Sequence, residues 1–171
     1  MHTAHAGGVE AFEAAKWGSL LESLPNACYA QALHLGTTVC EEAKHLAQRC
    51  GRLLSFQFAD PCLDREVVRA AVAGSPAAAG ARSADLVIIS DLLCAQEAEQ
   101  LDRLVKWTVR LLPVGGHCAL LHWAEGSPFN AASEEGVQAF IARSQPRLQP
   151  LLRRRTPDFR LDILERIDCA A

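Results

Sequence analysis

Apolar residues recur along the chain at two spacings. From Glu10 to Leu24, Phe12, Lys16-Trp17, Leu20-Leu21 and Leu24 fall three and four residues apart, which predicts a helix ended by Pro25-Asn26. A short apolar strand follows at Ala30–Leu35, then a turn at Gly36 and a helix from about Val39 to Arg49. Cys50-Gly51 is expected to close that helix, because glycine suits the left-handed position after a helix end. Leu53–Phe58 reads as a second strand, and Pro61 opens a third helix through Ala73 with Asp60 placed to cap it. Gly74–Gly80 reads as a flexible connection, and no strand pattern fits between Gly74 and Ser83.

Asp85–Ser90 is a continuous apolar run of the kind buried on both faces of a parallel sheet. The next helix sets Leu101, Leu104, Val105, Thr108, Leu111 and Leu112 on one stripe with charges opposite. Pro113-Val114-Gly115-Gly116 then turns the chain into the strand His117–Trp123. Glu134–Ser144 has a helical pattern, and Leu148–Arg155 with Phe159–Glu165 reads as a hairpin around Thr156-Pro157-Asp158. Strands alternating with helices, finished by a hairpin, predict an α/β fold. The sheet is expected to be mostly parallel, with a C-terminal antiparallel pair. Residues 1–9 are expected to be a flexible N-terminus and residues 10–171 a single domain.

Composition narrows the picture without redirecting it. The 171 residues are half hydrophobic and 22% charged, with a formal net charge of −3. That balance argues against a dedicated nucleic-acid surface, and Arg153-Arg154-Arg155 is read as a solvated face of a late strand. No run has the length of a membrane span, and the start of the chain lacks a basic region followed by an apolar one. The seven cysteines are scattered without a Cys-x-x-Cys pair. They are expected to be reduced thiols in the cytoplasm rather than metal ligands, His45 with Cys50 included.

Several short pieces, in order, carry a resemblance: Phe12-Glu13-x-x-Lys16-Trp17, Ala32-Leu33-His34-Leu35-Gly36, Asp85–Leu93, Pro113-x-Gly115-Gly116-His117, His122-Trp123 and Asp158–Arg166. Together they resemble the class I S-adenosylmethionine (SAM)-dependent methyltransferases, and within them the NodS-like (nodulation protein S-like) branch, over about Phe12 to Ile167. The resemblance implies a Rossmann-like methyltransferase sheet with SAM at the ends of its first strands. On that basis His34, Gly36, Thr37, Gln57 and Asp60 occupy the cofactor positions, in degenerate form.

His34 stands where the family has an acid, and Thr38 and Cys40 stand where it has glycines. Gln57 replaces the acid that grips the ribose, and Asp60 substitutes only if its loop is rearranged. A charge-assisted pair lost there costs on the order of 1.5–3 kcal/mol. Against the family pattern the third strand is deleted, which is expected to leave the second strand as an open sheet edge. Toward the acceptor end, Asp91 is either a general base or the cap of the next helix. His122 and Trp123 line a substrate pocket, or Trp123 covers the sheet end. An arginine and a histidine of the family pattern are Ala124 and Gln138 here. His34 is read as a hydrogen-bonded structural histidine, and Glu13 with Lys16 as a solvated pair on an amphipathic helix.

Three functions follow in order. The first is a degenerate methyltransferase homologue without catalysis, acting as a binding or regulatory partner through the sheet edge, with an intact methyltransferase or a second copy. The second is an active SAM-dependent methyltransferase of a small molecule, with Gly36, Thr37 and Asp60 at the cofactor and Asp91 or His122 serving the acceptor. The third is another ligand in the same crevice.

Overall fold

The structure, a computed structural model, describes residues 6–36, 41–57, 84–93, 98–124 and 134–168. Among them are helices α1 (Ala6–Ser23), α2 (Glu41–Gln48), α3 (Ala98–Leu111) and α4 (Glu134–Ser144). The strands are β1 (Tyr29–Gly36), β2 (Cys50–Gln57), β3 (Leu86–Ser90), β4 (His117–Trp123), β5 (Leu148–Arg155) and β6 (Phe159–Arg166). They form one sheet in the order β2-β1-β3-β4-β6-β5, parallel through β4 and antiparallel at β6 and β5. The α/β sheet read from the sequence is therefore present, with its C-terminal hairpin.

Alternation along the central strands sorts side chains onto two buried faces. Leu33, Leu35, Val87, Ile89 and Leu120 pack under α3 and α4. Ala32, Leu86, Ile88, Ala119 and Leu121 pack under α1, where Trp17 and Leu20 meet them. Each fully buried leucine or isoleucine contributes roughly 1.5–3 kcal/mol, so these two layers fix the sheet between its helices. The strand ends then deliver their last side chains to one edge: Gly36, Ser90-Asp91 and His122-Trp123.

Two boundaries differ from expectation. Helix α1 begins at Ala6 rather than Glu10, so part of the expected loose N-terminus is helical. Cys50 and Gly51 open β2 instead of closing α2. Gly51 is not in the left-handed region; a Cβ there would stand 2.8 Å from the Ala30 carbonyl oxygen, so glycine permits close strand pairing. The turn before β4 does use a left-handed glycine, Gly115, at φ 82°.

Among the described residues β2 pairs only with β1 and forms one sheet edge, with β5 at the other. The expected helix 61–73 and the missing third strand fall on 58–83, outside the described residues. No helix among them is long and apolar enough to cross a membrane. Cys28, Cys50 and Cys118 are free thiols; burial pushes Cys50 up to about 11 and Cys118 well above its ordinary value, which disfavours the thiolate at both.

Candidate functional site: the C-terminal edge of the parallel strands

On the α1 face, β1 ends in His34-Leu35-Gly36 beside Ser55 of β2 and Ser90 of β3. The His34 ring is 2% exposed and uses both nitrogens: Nδ1 lies 2.9 Å from Ser55 Oγ and Nε2 2.7 Å from Ser90 Oγ. Trp17 packs edge-on against it with centroids 5.1 Å apart. Desolvation is the main reason its pKa falls to about 4, so at neutral pH it is an uncharged imidazole. This is the structural histidine expected from the sequence. The ring and Ser90 also fill the space above Gly36, where a Cβ would stand 1.8 Å from Ser90 Oγ and 2.6 Å from His34 Nε2. Gly36 is thus required by its own neighbours.

Asp91 follows β3 at φ 52°, a left-handed conformation that aspartate tolerates better than bulkier residues. Its N–H donates to the Leu121 carbonyl at 3.1 Å, and its Oδ1 accepts the Trp123 N–H at 3.0 Å. Its Oδ2 lies 2.5 Å from Lys16 Nζ. The same ammonium reaches Glu13 Oε1 at 3.1 Å and sits 3.9 Å from the centre of the Trp123 ring. A cation enclosed by two carboxylates and an aromatic face can remain charged in an apolar setting.

The expectation of a solvated Glu13–Lys16 pair is corrected here. Lys16 has no exposed surface and Glu13 is 9% exposed. The inward stripe of α1 runs through Glu13, Lys16, Trp17, Leu20 and Leu24, while Phe12 is left 38% exposed. Burial outweighs the Lys16 charge at Glu13 and raises its pKa, with Asp91 adding to the rise; its Oε2 is buried without a partner. The alternative role of Asp91 as a helix cap concerns 94–97, outside the described residues.

His122 and Trp123 point to opposite faces. Trp123 joins the apolar cluster under α1 with Phe159, so it covers the sheet end. Both also line a cavity of about 260 Å³ at the strand end, together with Glu134, Val137, Arg155 and Arg160. His122 Nε2 accepts the Leu93 N–H at 3.4 Å, which places the ring proton on Nδ1, a buried atom with no partner. Burial lowers its pKa to about 4, so His122 too is neutral.

Sequence reasoning missed the ion network beside that cavity. Arg160 grips the fully buried Asp162 through Nε and Nη2, and reaches Glu134 at 3.2 Å. The arginine run is exposed, as expected of a solvated face, and each member also has a partner: Arg153 with Asp162 at 2.7 Å, Arg154 with Ser19 at 2.8 Å and Arg155 with Glu134 at 2.6 Å. Strand alternation was the available signal, because it sends Arg153 and Arg155 to the α4 face and Arg154 to the α1 face. Gln57 closes β2 next to Gly36, but its side chain, Thr37, Thr38, Cys40 and Asp60 lie outside the described residues. No group of three His, Cys, Asp or Glu among the described residues is placed to hold a metal ion.

No protein-family model and no curated protein sequence matches the chain. Solved structures do. NodS, an N-methyltransferase from Bradyrhizobium japonicum WM9 in complex with S-adenosylhomocysteine, superposes with a TM-score of 0.68 at 18% identity, over 92% of this chain and 88% of that one. A candidate methyltransferase from Pseudomonas syringae gives 0.63 at 24% identity, over 91% and 99%. The 1,6-didemethyltoxoflavin-N1-methyltransferase of Burkholderia thailandensis gives 0.64 at 11% identity, over 96% and 82%. The chain therefore has the class I SAM-dependent methyltransferase fold. NodS is among the proteins it resembles in three dimensions.

The resemblance read from the sequence puts the cofactor positions at the ends of β1 and β2. β1 offers a neutral, doubly bonded imidazole where the resemblance expects an acid, and β2 ends in Gln57. The Asp91 carboxylate is held by Lys16 and the Trp123 N–H.

Proposed function

We propose that this protein is a degenerate SAM-dependent methyltransferase homologue that does not catalyse methyl transfer and acts as a binding or regulatory partner. The observation that carries the reading is His34. The residue at the acid position is neutral and has both nitrogens bonded inward, to Ser55 and Ser90. It presents neither a charge nor a free acceptor to a ribose or an amine. Asp91 adds to this, since its Oδ1 already accepts the Trp123 N–H and its Oδ2 is paired with the Lys16 ammonium.

The edge of β2, paired on one side among the described residues, is the surface we assign to a partner, an intact methyltransferase or a second copy of the chain. Free thiols and the lack of a membrane-spanning helix among the described residues agree with a cytoplasmic setting. Calorimetric titration with SAM and with S-adenosylhomocysteine tests the reading: no heat of binding is expected at millimolar ligand. Micromolar affinity for either one overturns it.

A second reading, an active SAM-dependent methyltransferase of a small acceptor, is favoured by one feature. The cavity of about 260 Å³ brings His122, with its uncommitted Nδ1–H, to the end of β4 where an acceptor would lie. In that reading Gly36, Thr37 and Asp60 hold the cofactor and Asp91 or His122 serves the acceptor. Methyl transfer is governed mainly by positioning, so a neutral histidine is compatible with it.

A further inference from the structure

A second concavity lies at the opposite end of the sheet from Asp91 and Trp123. The last turns of α3 and α4, residues 145–147 and the end of β6 enclose about 630 Å³. Lys106, Arg110, Arg143, Arg147 and Arg166 line it, and among the described residues no carboxylate does. These are five of the chain's 17 lysines and arginines, gathered in a protein of formal net charge −3.

Helix C-termini attract cations, which accounts for Arg110 and Arg143 in the last turns of α3 and α4. It does not account for Lys106 one turn back, for Arg147 after α4, or for Arg166 on a strand. Of the five, Arg143 alone has a carboxylate partner among the described residues, Asp102 at 2.8 Å. Arg166 donates through Nη1 to the carbonyls of Arg147 at 3.3 Å and Ile167 at 3.1 Å, and its Nε is buried with no acceptor. A buried charged donor without an acceptor is costly, so the Arg166 side chain is not held there by protein partners alone.

Val105, Val109, Leu112 and Pro146 give the cleft an apolar part beside these charges. Its volume falls within the roughly 300–1,000 Å³ of small-molecule sites. Four guanidinium groups drawn from two helices, a loop and a strand suit several phosphate oxygens at once, with Lys106 as a point charge. We propose that this cleft binds a small polyanion with two or more phosphate groups on a compact body, of the nucleoside di- or triphosphate class. The site is independent of the function proposed above, because it shares no residue with Gly36, Ser90-Asp91 or His122-Trp123 at the other end of the sheet.

Titration of the full chain with ATP and, separately, with inorganic pyrophosphate tests this. Both are expected to bind, ATP more tightly because it also covers the apolar part, and both affinities fall as salt is raised. Lys106 and Arg147 are exposed, so Lys106→Gln and Arg147→Gln leave folding intact and are each expected to weaken ATP binding about tenfold. Absence of binding by both ligands overturns the proposal, as does affinity unchanged in both variants. Tighter binding of a polyglutamate peptide or of poly(uridylic acid) than of ATP also overturns it, by assigning the cleft to an acidic protein segment or to RNA.

Discussion

Lys16 and Asp91 are 75 residues apart in sequence, and their charged atoms lie 2.5 Å apart with almost no exposed surface. The pair joins α1 to the end of β3, and the Trp123 ring beneath the ammonium joins both to β4. Three elements thus meet on one cation.

Breaking one side of a buried pair strands the other charge. Lys16→Met is therefore expected to cost about 3–5 kcal/mol in urea unfolding, since Asp91 stays buried without its counterion. Asp91→Asn tolerates the left-handed backbone and keeps an oxygen for the Trp123 N–H. The double variant Lys16→Met/Asp91→Asn should be less destabilised than the sum of the single changes, a coupling that a double-mutant cycle measures. If Lys16→Met falls within about 1 kcal/mol of wild type, the lock assigned to this pair is wrong.

Stability should fall on the acid side because of His34 and His122. Both have folded pKa values near 4, below the ordinary 6.5, so the unfolded chain binds more protons between those values. Their contribution is complete above about pH 6.5 and is lost as the pH falls toward 4, at about 1.4 kcal/mol per pH unit per histidine. Glu13 works the other way: its raised pKa favours the folded state at low pH and ceases to do so as pH rises through that pKa. The net slope between pH 6.5 and 4.5 should be positive, and His122→Leu should reduce it by roughly half. A flat urea-midpoint profile across that range contradicts the neutral, buried assignment of both rings.

The fold was legible because its signals are local and repeated. The runs Asp85–Ser90 and His117–Trp123, the α3 stripe and the hairpin around Thr156-Pro157-Asp158 each announce an element, and the structure contains them all. His34 was legible as structural too, since an imidazole inside an apolar strand has to find partners. The identity of those partners was not, because Ser55 and Ser90 are set by strand register, which is a long-range property. Lys16 was misread for a related reason. A charge on an amphipathic helix is normally solvated, and its burial is made tolerable by partners distant in sequence, Asp91 after β3 and Trp123 on β4, together with Glu13.

Gly36→Ala tests the packing at the end of β1. The added methyl would meet Ser90 Oγ at 1.8 Å and the Ser90 carbonyl oxygen at 2.9 Å, the second a backbone atom that cannot rotate away. A loss of about 3 kcal/mol or more is expected, seen as a lowered thermal midpoint. Ser90→Gly added to it should recover part of the loss by removing the nearer clash, at the expense of one His34 hydrogen bond.

Asp162 and Arg153 share one ion pair but should respond very differently. Asp162 has no exposed surface and holds Arg160 as well as Arg153, whereas the Arg153 side chain is 43% exposed. Asp162→Asn leaves the largely buried Arg160 facing Glu134 alone, and is expected to cost about 3–5 kcal/mol. Arg153→Ala removes a solvent-screened partner and should cost no more than about 1 kcal/mol. Because Arg160 and Glu134 also wall the cavity at His122, Asp162→Asn should in addition alter the environment of Trp123, which a shift in tryptophan fluorescence would report. Equal costs for the two substitutions would mean that the buried carboxylate is held by its packing rather than by Arg160.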